Sequence, residues 1–85
     1  MQLKILYFAS LREALACDQE TVEVPQEIRT VGALRRWLSE RNDRYASGLA
    51  SKRAIRIAIN KRLAQAEEAL IDGAEVAFFP PVTGG

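Results

Sequence analysis

The chain has 85 residues, twelve Lys+Arg against eleven Asp+Glu for a net charge of +1, one cysteine and no histidine. This length allows one domain, and the near-zero charge supplies no field to draw the chain onto nucleic acid or anionic lipid. A single cysteine excludes an internal disulfide, and the lack of histidine removes the usual zinc ligand and neutral-pH base, so HExxH and His-dependent triad chemistry are excluded.

Hydrophobic residues make up 48% of the sequence and charged residues 27%, which predicts a folded core rather than a disordered chain. No stretch approaches the roughly 18 to 20 apolar residues of a membrane span. The N-terminal run lacks the long apolar region and small-residue cleavage site of a signal peptide, so the expected location is cytoplasmic. A domain of this size buries only ~60 to 68% of its unfolded surface and gains stability from a partner.

In chain order, Q-L-K-I-L-Y-F over 2–8 predicts a strand with Leu3, Ile5 and Tyr7 on one face and Lys4, Leu6 and Phe8 on the other. Both faces are largely apolar, which suits a central strand. Ser10 then serves as cap candidate for a short helix to Ala16, with Leu11 and Leu15 four apart. Residues 20–25 alternate with Val22 and Val24 inward, and Pro25 closes that strand. The main helix is predicted from an N-cap at Thr30, with Val31, Leu34, Leu38 and Tyr45 on one stripe and Trp37 beside it. Arg35 and Arg36 fall on its other side and read as a solvated face. Residues 46–52 read as a loop.

Ile55, Ile57 and Ile59 at period two predict a half-buried strand. Residues 61–71 have helical propensity but lie between strands, which favours a short strand and a turn. Asp72-Gly73 is a tight-turn pair, and E-V-A-F-F after it is a strand with Val76 and Phe78 on one face and Ala77 and Phe79 on the other. The order predicts an α+β roll with one helix covering one face of a mixed sheet, and with the two most apolar strands, first and last, adjacent at its centre. Its boundaries are residues 1–79 for the domain and 80–85 for an extended C-terminal tail.

The tail carries the chemical signal. After Glu75 the sequence V-A-F-F-P-P-V-T-G-G contains no charge. Pro80 and Pro81 end the strand and favour polyproline II, and six extended residues reach ~20 Å against a radius of gyration near ~12 Å. Such a tail can enter a partner's pocket. Gly84 and Gly85 lack Cβ atoms, so their backbone passes a narrow channel and leaves the terminal carbonyl open. A carboxylate with a pKa near ~3.5 is ionised and a poor electrophile, so reaction there requires activation, most simply as a mixed anhydride with AMP.

D-G-A-E-V-A-F-F-P-P-V-T-G-G, with F-A-S-L-R-E at residues 8–13 and I-N-K-R-L at 59–63, closely resembles the small subunit of molybdopterin synthase, a ubiquitin-like sulfur carrier of molybdenum cofactor biosynthesis. The resemblance implies a β-grasp fold. It also implies that Gly85 is adenylated by an E1-like enzyme with MgATP and converted to a thiocarboxylate by a cysteine-derived persulfide. The tail then delivers sulfur to cyclic pyranopterin monophosphate in the large subunit, in an expected heterotetramer. On that reading the chain is a cosubstrate subunit of a sulfurtransferase, not catalytic alone. No cofactor is held tightly; the acyl-adenylate and thiocarboxylate are transient covalent states. The expected partners are the large subunit and the adenylating enzyme, with no nucleic acid and no membrane.

Gly84, Thr83, Val82, Pro81 and Pro80 are implied partner-binding residues, as are Phe79, Leu63, Phe8 and Arg12 at the subunit interface. Leu6, Phe8 and Phe79 are expected to share the sheet face opposite the helix. Cys17 has no neighbouring His, Lys or CxxC partner in the sequence to activate it and reads as a small, semi-buried residue. Two other readings keep the fold. One is a different ubiquitin-like carrier or modifier, thiamine-type or joined to lysines; the other is a β-grasp interaction module without tail chemistry.

Overall fold

Period-two alternation at both ends of the chain builds the centre of one sheet. The computed structural model describes residues 1–81. Its elements are β1 (Gln2–Tyr7), α1 (Ala9–Leu15), β2 (Gln19–Glu23), α2 (Val31–Ser39), α3 (Asp43–Gly48), β3 (Arg56–Ile59), β4 (Arg62–Ala64) and β5 (Glu75–Phe79). The sheet order is β2-β1-β5-β3-β4, with β1 and β5 parallel at the centre and the other pairs antiparallel. This is the mixed α+β roll that the element order predicts, with the first and last strands side by side.

Leu3, Ile5, Tyr7, Val76 and Phe78 face inward from the two central strands and are at most 1% exposed. Val31, Leu34 and Leu38, spaced at helical period, close over them from α2. Thr30 caps this helix as predicted, its Oγ1 accepting from the Ala33 N–H at 3.2 Å.

Several local expectations are corrected. Tyr45 does not continue the α2 stripe: Asn42 caps a separate α3 by accepting the Tyr45 N–H at 3.0 Å, so part of the predicted loop at 46–52 is helical. Ser10 lies inside α1, whose N-cap is Phe8 without any side-chain cap. The chain turns there through Ala9 at φ 54°, a left-handed conformation costing a non-glycine residue ~1–2 kcal/mol. Residues 61–71, by contrast, form the expected short strand, β4, and a turn, with an isolated bridge from Ala69 to Thr30. The β3–β4 hairpin turns through Asn60 and Lys61, both at positive φ, and Asn60 Oδ1 accepts the Glu75 N–H at 3.0 Å. This bond ties the hairpin to the start of the strand that leads to the tail.

Arg35 departs most from its expected role. Its Nε donates to the Leu49 carbonyl at 2.9 Å, and its Nη2 donates to the carbonyls of Ala50 and Arg53. One guanidinium therefore fastens the α3–β3 connection onto α2. On the same side of the sheet, Glu20 accepts the hydroxyls of Tyr7 at 2.8 Å and Tyr45 at 2.9 Å, and Arg41 at 2.7 Å. This cluster joins β1, β2 and α3.

Candidate functional site

Side-chain alternation assigns the outer face of the sheet, and strand register sets its rows. Leu6 pairs with Ala77, Ala77 with Ala58, and Ala58 with Leu63, an apolar row across four strands. At ~4.8 Å per strand the row spans roughly 14 Å. Its middle is low because both central residues are alanines, and a leucine stands at either end. On one side the row is followed by Phe79, paired with Arg56; on the other by Lys4, paired with Glu75.

Phe8 joins this surface from just beyond β1. Its backbone is extended at φ −119° and ψ 155°, which carries the strand alternation one residue further, and its N–H donates to the Phe78 carbonyl at 3.1 Å. Its own carbonyl accepts the N–H groups of Leu11 at 3.1 Å and Arg12 at 3.4 Å. The main chain is thus pinned while the side chain remains 47% exposed. Leu63 is 60% exposed, whereas Leu6 and Phe79 are half-buried. Large apolar side chains left open in a neighbouring group mark a contact surface.

Arg12 is exposed on α1, one turn beyond Phe8. Pro80 and Pro81 are half-buried and continue directly from Phe79. Pro80 helps line a hollow of about 200 Å³ together with Ser10, Leu11, Ala14, Arg53 and Ile55. The chain therefore leaves the sheet between α1 and the segment entering β3. Val82, Thr83, Gly84 and Gly85 lie outside the described residues. The structure brings Phe8, Phe79, Pro80 and Arg12 to one end of the sheet and sets Leu63 across the apolar row, on the edge strand.

Two contributors to this surface escape a motif-based reading. Ala58 forms the flat middle of the row, and its signal was a third apolar residue between Ile57 and Ile59. Arg56 adds a cation beside Phe79. Ile71, 53% exposed, belongs to the turn before β5 at the opposite end of the sheet. Cys17 is half-buried against the core, with its thiol 3.4 Å from the Gln19 carbonyl.

The groups with clearly perturbed ionisation all belong to the scaffold. Burial acts to raise the Glu20 pKa, but the hydrogen bonds from Arg41, Tyr7 and Tyr45 outweigh it and hold the carboxyl below its ordinary 4.5. Burial and then Glu20 push the Tyr7 hydroxyl far up and that of Tyr45 up to about 12. Burial lowers the pKa of Arg35. These groups lie on the helix side, away from the apolar row.

Comparison with known proteins places this geometry. Residues 5–85 match the model of the ThiS family. The chain is 42% identical over 83 residues to the molybdopterin synthase sulfur carrier subunit of Escherichia coli, covering 98% of this chain and 99% of that protein. It is 39% identical to the protein of the same name from Haemophilus influenzae, with the same coverage. Among solved structures it resembles small archaeal modifier protein 1 of Haloferax volcanii, with a TM-score of 0.75, 27% identity, and coverage of 95% of this chain and 98% of that one. The sheet order and these likenesses together identify the fold as β-grasp.

Proposed function

Because the chain belongs to the ThiS family, and within it to the molybdopterin synthase sulfur carrier subunits, we propose that it carries sulfur on its C-terminal Gly85. The observation that supports this reading most is the continuity of β5 with the tail: the strand ending in Phe79 lies in the exposed apolar face, and Pro80-Pro81 follow without a turn. A partner that covers the outer face thereby receives the chain end as well. The docking partner on this reading is the synthase large subunit, which contacts Phe8, Leu63, Phe79 and Arg12 and encloses Val82 to Gly85 in a heterotetramer.

The chemistry follows from the carboxylate's inertness. An E1-like enzyme with MgATP joins the Gly85 carboxylate to AMP and releases pyrophosphate, which turns the acyl carbon into an electrophile. A cysteine persulfide attacks that carbon and expels AMP. Cleavage of the resulting acyl disulfide by a thiol leaves the thiocarboxylate. Its sulfur is nucleophilic at neutral pH and attacks cyclic pyranopterin monophosphate, with acid–base groups supplied by the large subunit. Two loaded chains serve each dithiolene, and the setting is cytoplasmic.

Deleting Gly84 and Gly85 tests the proposal. The truncated chain is expected to melt like the full chain and to support no dithiolene formation with the large subunit; sulfur transfer by the truncated chain would overturn it. The likeness to an archaeal modifier protein favours a second reading, conjugation of Gly85 to lysines, for which lysine-linked adducts formed with the activating enzyme are the signature.

A further inference from the structure

A groove of about 610 Å³ runs between α2 and the β3–β4 edge of the sheet, and its lining includes Leu63, the end of the apolar row, and Arg56, the neighbour of Phe79. Gly32, Arg35, Arg36 and Ser39, at positions i, i+3, i+4 and i+7, form one stripe of α2 along it. Leu49, Ile57 and Ala64 contribute its apolar floor. The α2 end of the groove is closed by close approach: the Gly32 N–H donates to the Ala66 carbonyl at 2.8 Å, and a Cβ on Gly32 would lie 3.2 Å from both that oxygen and the Ala66 Cβ.

The charge in this groove has one sign. Arg35, Arg36 and Arg56 line it, and no aspartate or glutamate does so among the described residues. Arg36 and Arg56 are exposed, and neither side chain has an ion-pair partner among the described residues. Arg35 spends Nε and Nη2 on backbone carbonyls, which fixes its guanidinium at the wall. Elsewhere the chain neutralises comparable arginines: Arg41 pairs with Glu20 and Arg62 with Glu68. A wall of arginines over an apolar floor is complementary to carboxylates alternating with apolar side chains.

We infer that this groove docks a short, extended, acidic–apolar segment of a partner protein, sharing only Leu63 and Arg56 with the outer sheet face. From Gly32 to Ser39 the helix rises about 10 Å, the length of roughly three extended residues. Such a segment places an apolar side chain on Ile57 and Ala64 while flanking carboxylates reach Arg36 and Arg56. The segment leaves Leu6 and Ala77 uncovered and meets the outer face at Leu63 and Arg56.

The test is an amide NMR titration of the ¹⁵N-labelled full chain with a capped hexapeptide alternating glutamate and leucine. Saturable shifts are expected at Gly32, Ser39, Ile57 and Ala64 and not at Leu6 or Ala77. Binding should weaken at least tenfold in Arg36→Glu/Arg56→Glu, and Arg36→Gln provides a milder variant should the double charge reversal disturb folding. A hexapeptide with lysine in place of glutamate should not bind. Absent shifts, shifts centred on the outer face, or equal binding of the lysine peptide would overturn the inference. Displacement of the peptide by inorganic phosphate or AMP would also overturn it, showing a site for small anions.

Discussion

Truncating Leu63 and Phe8 to alanine probes the outer face where it is most open. Fully burying a leucine stabilises by about 1.5–3 kcal/mol, so the 60% still exposed on Leu63 leaves about 1–2 kcal/mol to gain on docking. For Phe8, 47% of an aromatic surface of ~200 Å² is ~95 Å², which at ~25 cal/mol per Å² is about 2.4 kcal/mol, or roughly 50-fold in affinity. The two positions are about three strand spacings apart, so their effects should add to about 3–4 kcal/mol, on the order of 300-fold. Calorimetric titration of the double variant with the molybdopterin synthase large subunit measures the loss, and a thermal melt checks that the variant is folded. Because both side chains also bury part of their surface against their own chain, a lower melting temperature is expected with a native circular dichroism spectrum. A folded double variant that binds within threefold of the parent would refute the assignment of this face to the large subunit.

Other expectations concern the scaffold that aims this face. Glu20→Gln should lower stability by about 1–2 kcal/mol at pH 7, since charge-assisted bonds from Arg41 and two tyrosines become neutral ones. The folded pKa of Glu20 lies below 4.5, so its contribution is complete above that value and is lost as pH falls through the folded pKa. Denaturant midpoints of parent and variant should therefore converge in acid. The raised tyrosine values act at the other end: the parent loses stability as pH rises from 10 toward about 12, because the unfolded hydroxyl of Tyr45 ionises first. Arg35→Met should cost about 2–3 kcal/mol and lower the melting temperature by about 10–20 °C in a domain of this size. Arg35→Lys should not restore it, because an ammonium lacks the planar fork that reaches three carbonyls.

The features legible in the sequence are those encoded by local periodicity. The Ile55, Ile57 and Ile59 spacing, the Val22 and Val24 pair and the Thr30 cap each specify an element through near neighbours. The two-sided apolarity of the first and last strands placed them together. Tyr45 was misassigned because a 3.6-residue stripe continues arithmetically through a helix break; the signal for the break was Asn42, a cap residue ahead of Asp43. Ser10 lost the capping position because the chain turns immediately after β1 through a left-handed alanine, a conformation no propensity favours. The role of Arg35 was hidden because its three acceptors are main-chain carbonyls 14 to 18 residues away, and carbonyls carry no side-chain signature. On the outer face, large apolar residues could be named from alternation, whereas the pairing of Ala58 with Leu63 and of Arg56 with Phe79 exists only once register is set.

Sulfur loading on Gly85 is the claim on which the functional account stands. The protein should be incubated with the E1-like adenylating enzyme, MgATP and a persulfide source, followed by intact mass measurement and fragmentation of the C-terminal peptide. The account predicts a mass gain equal to replacing one oxygen by sulfur, located on Gly85 and absent without ATP. An unchanged mass in the presence of an adenylating enzyme shown to be active would contradict it.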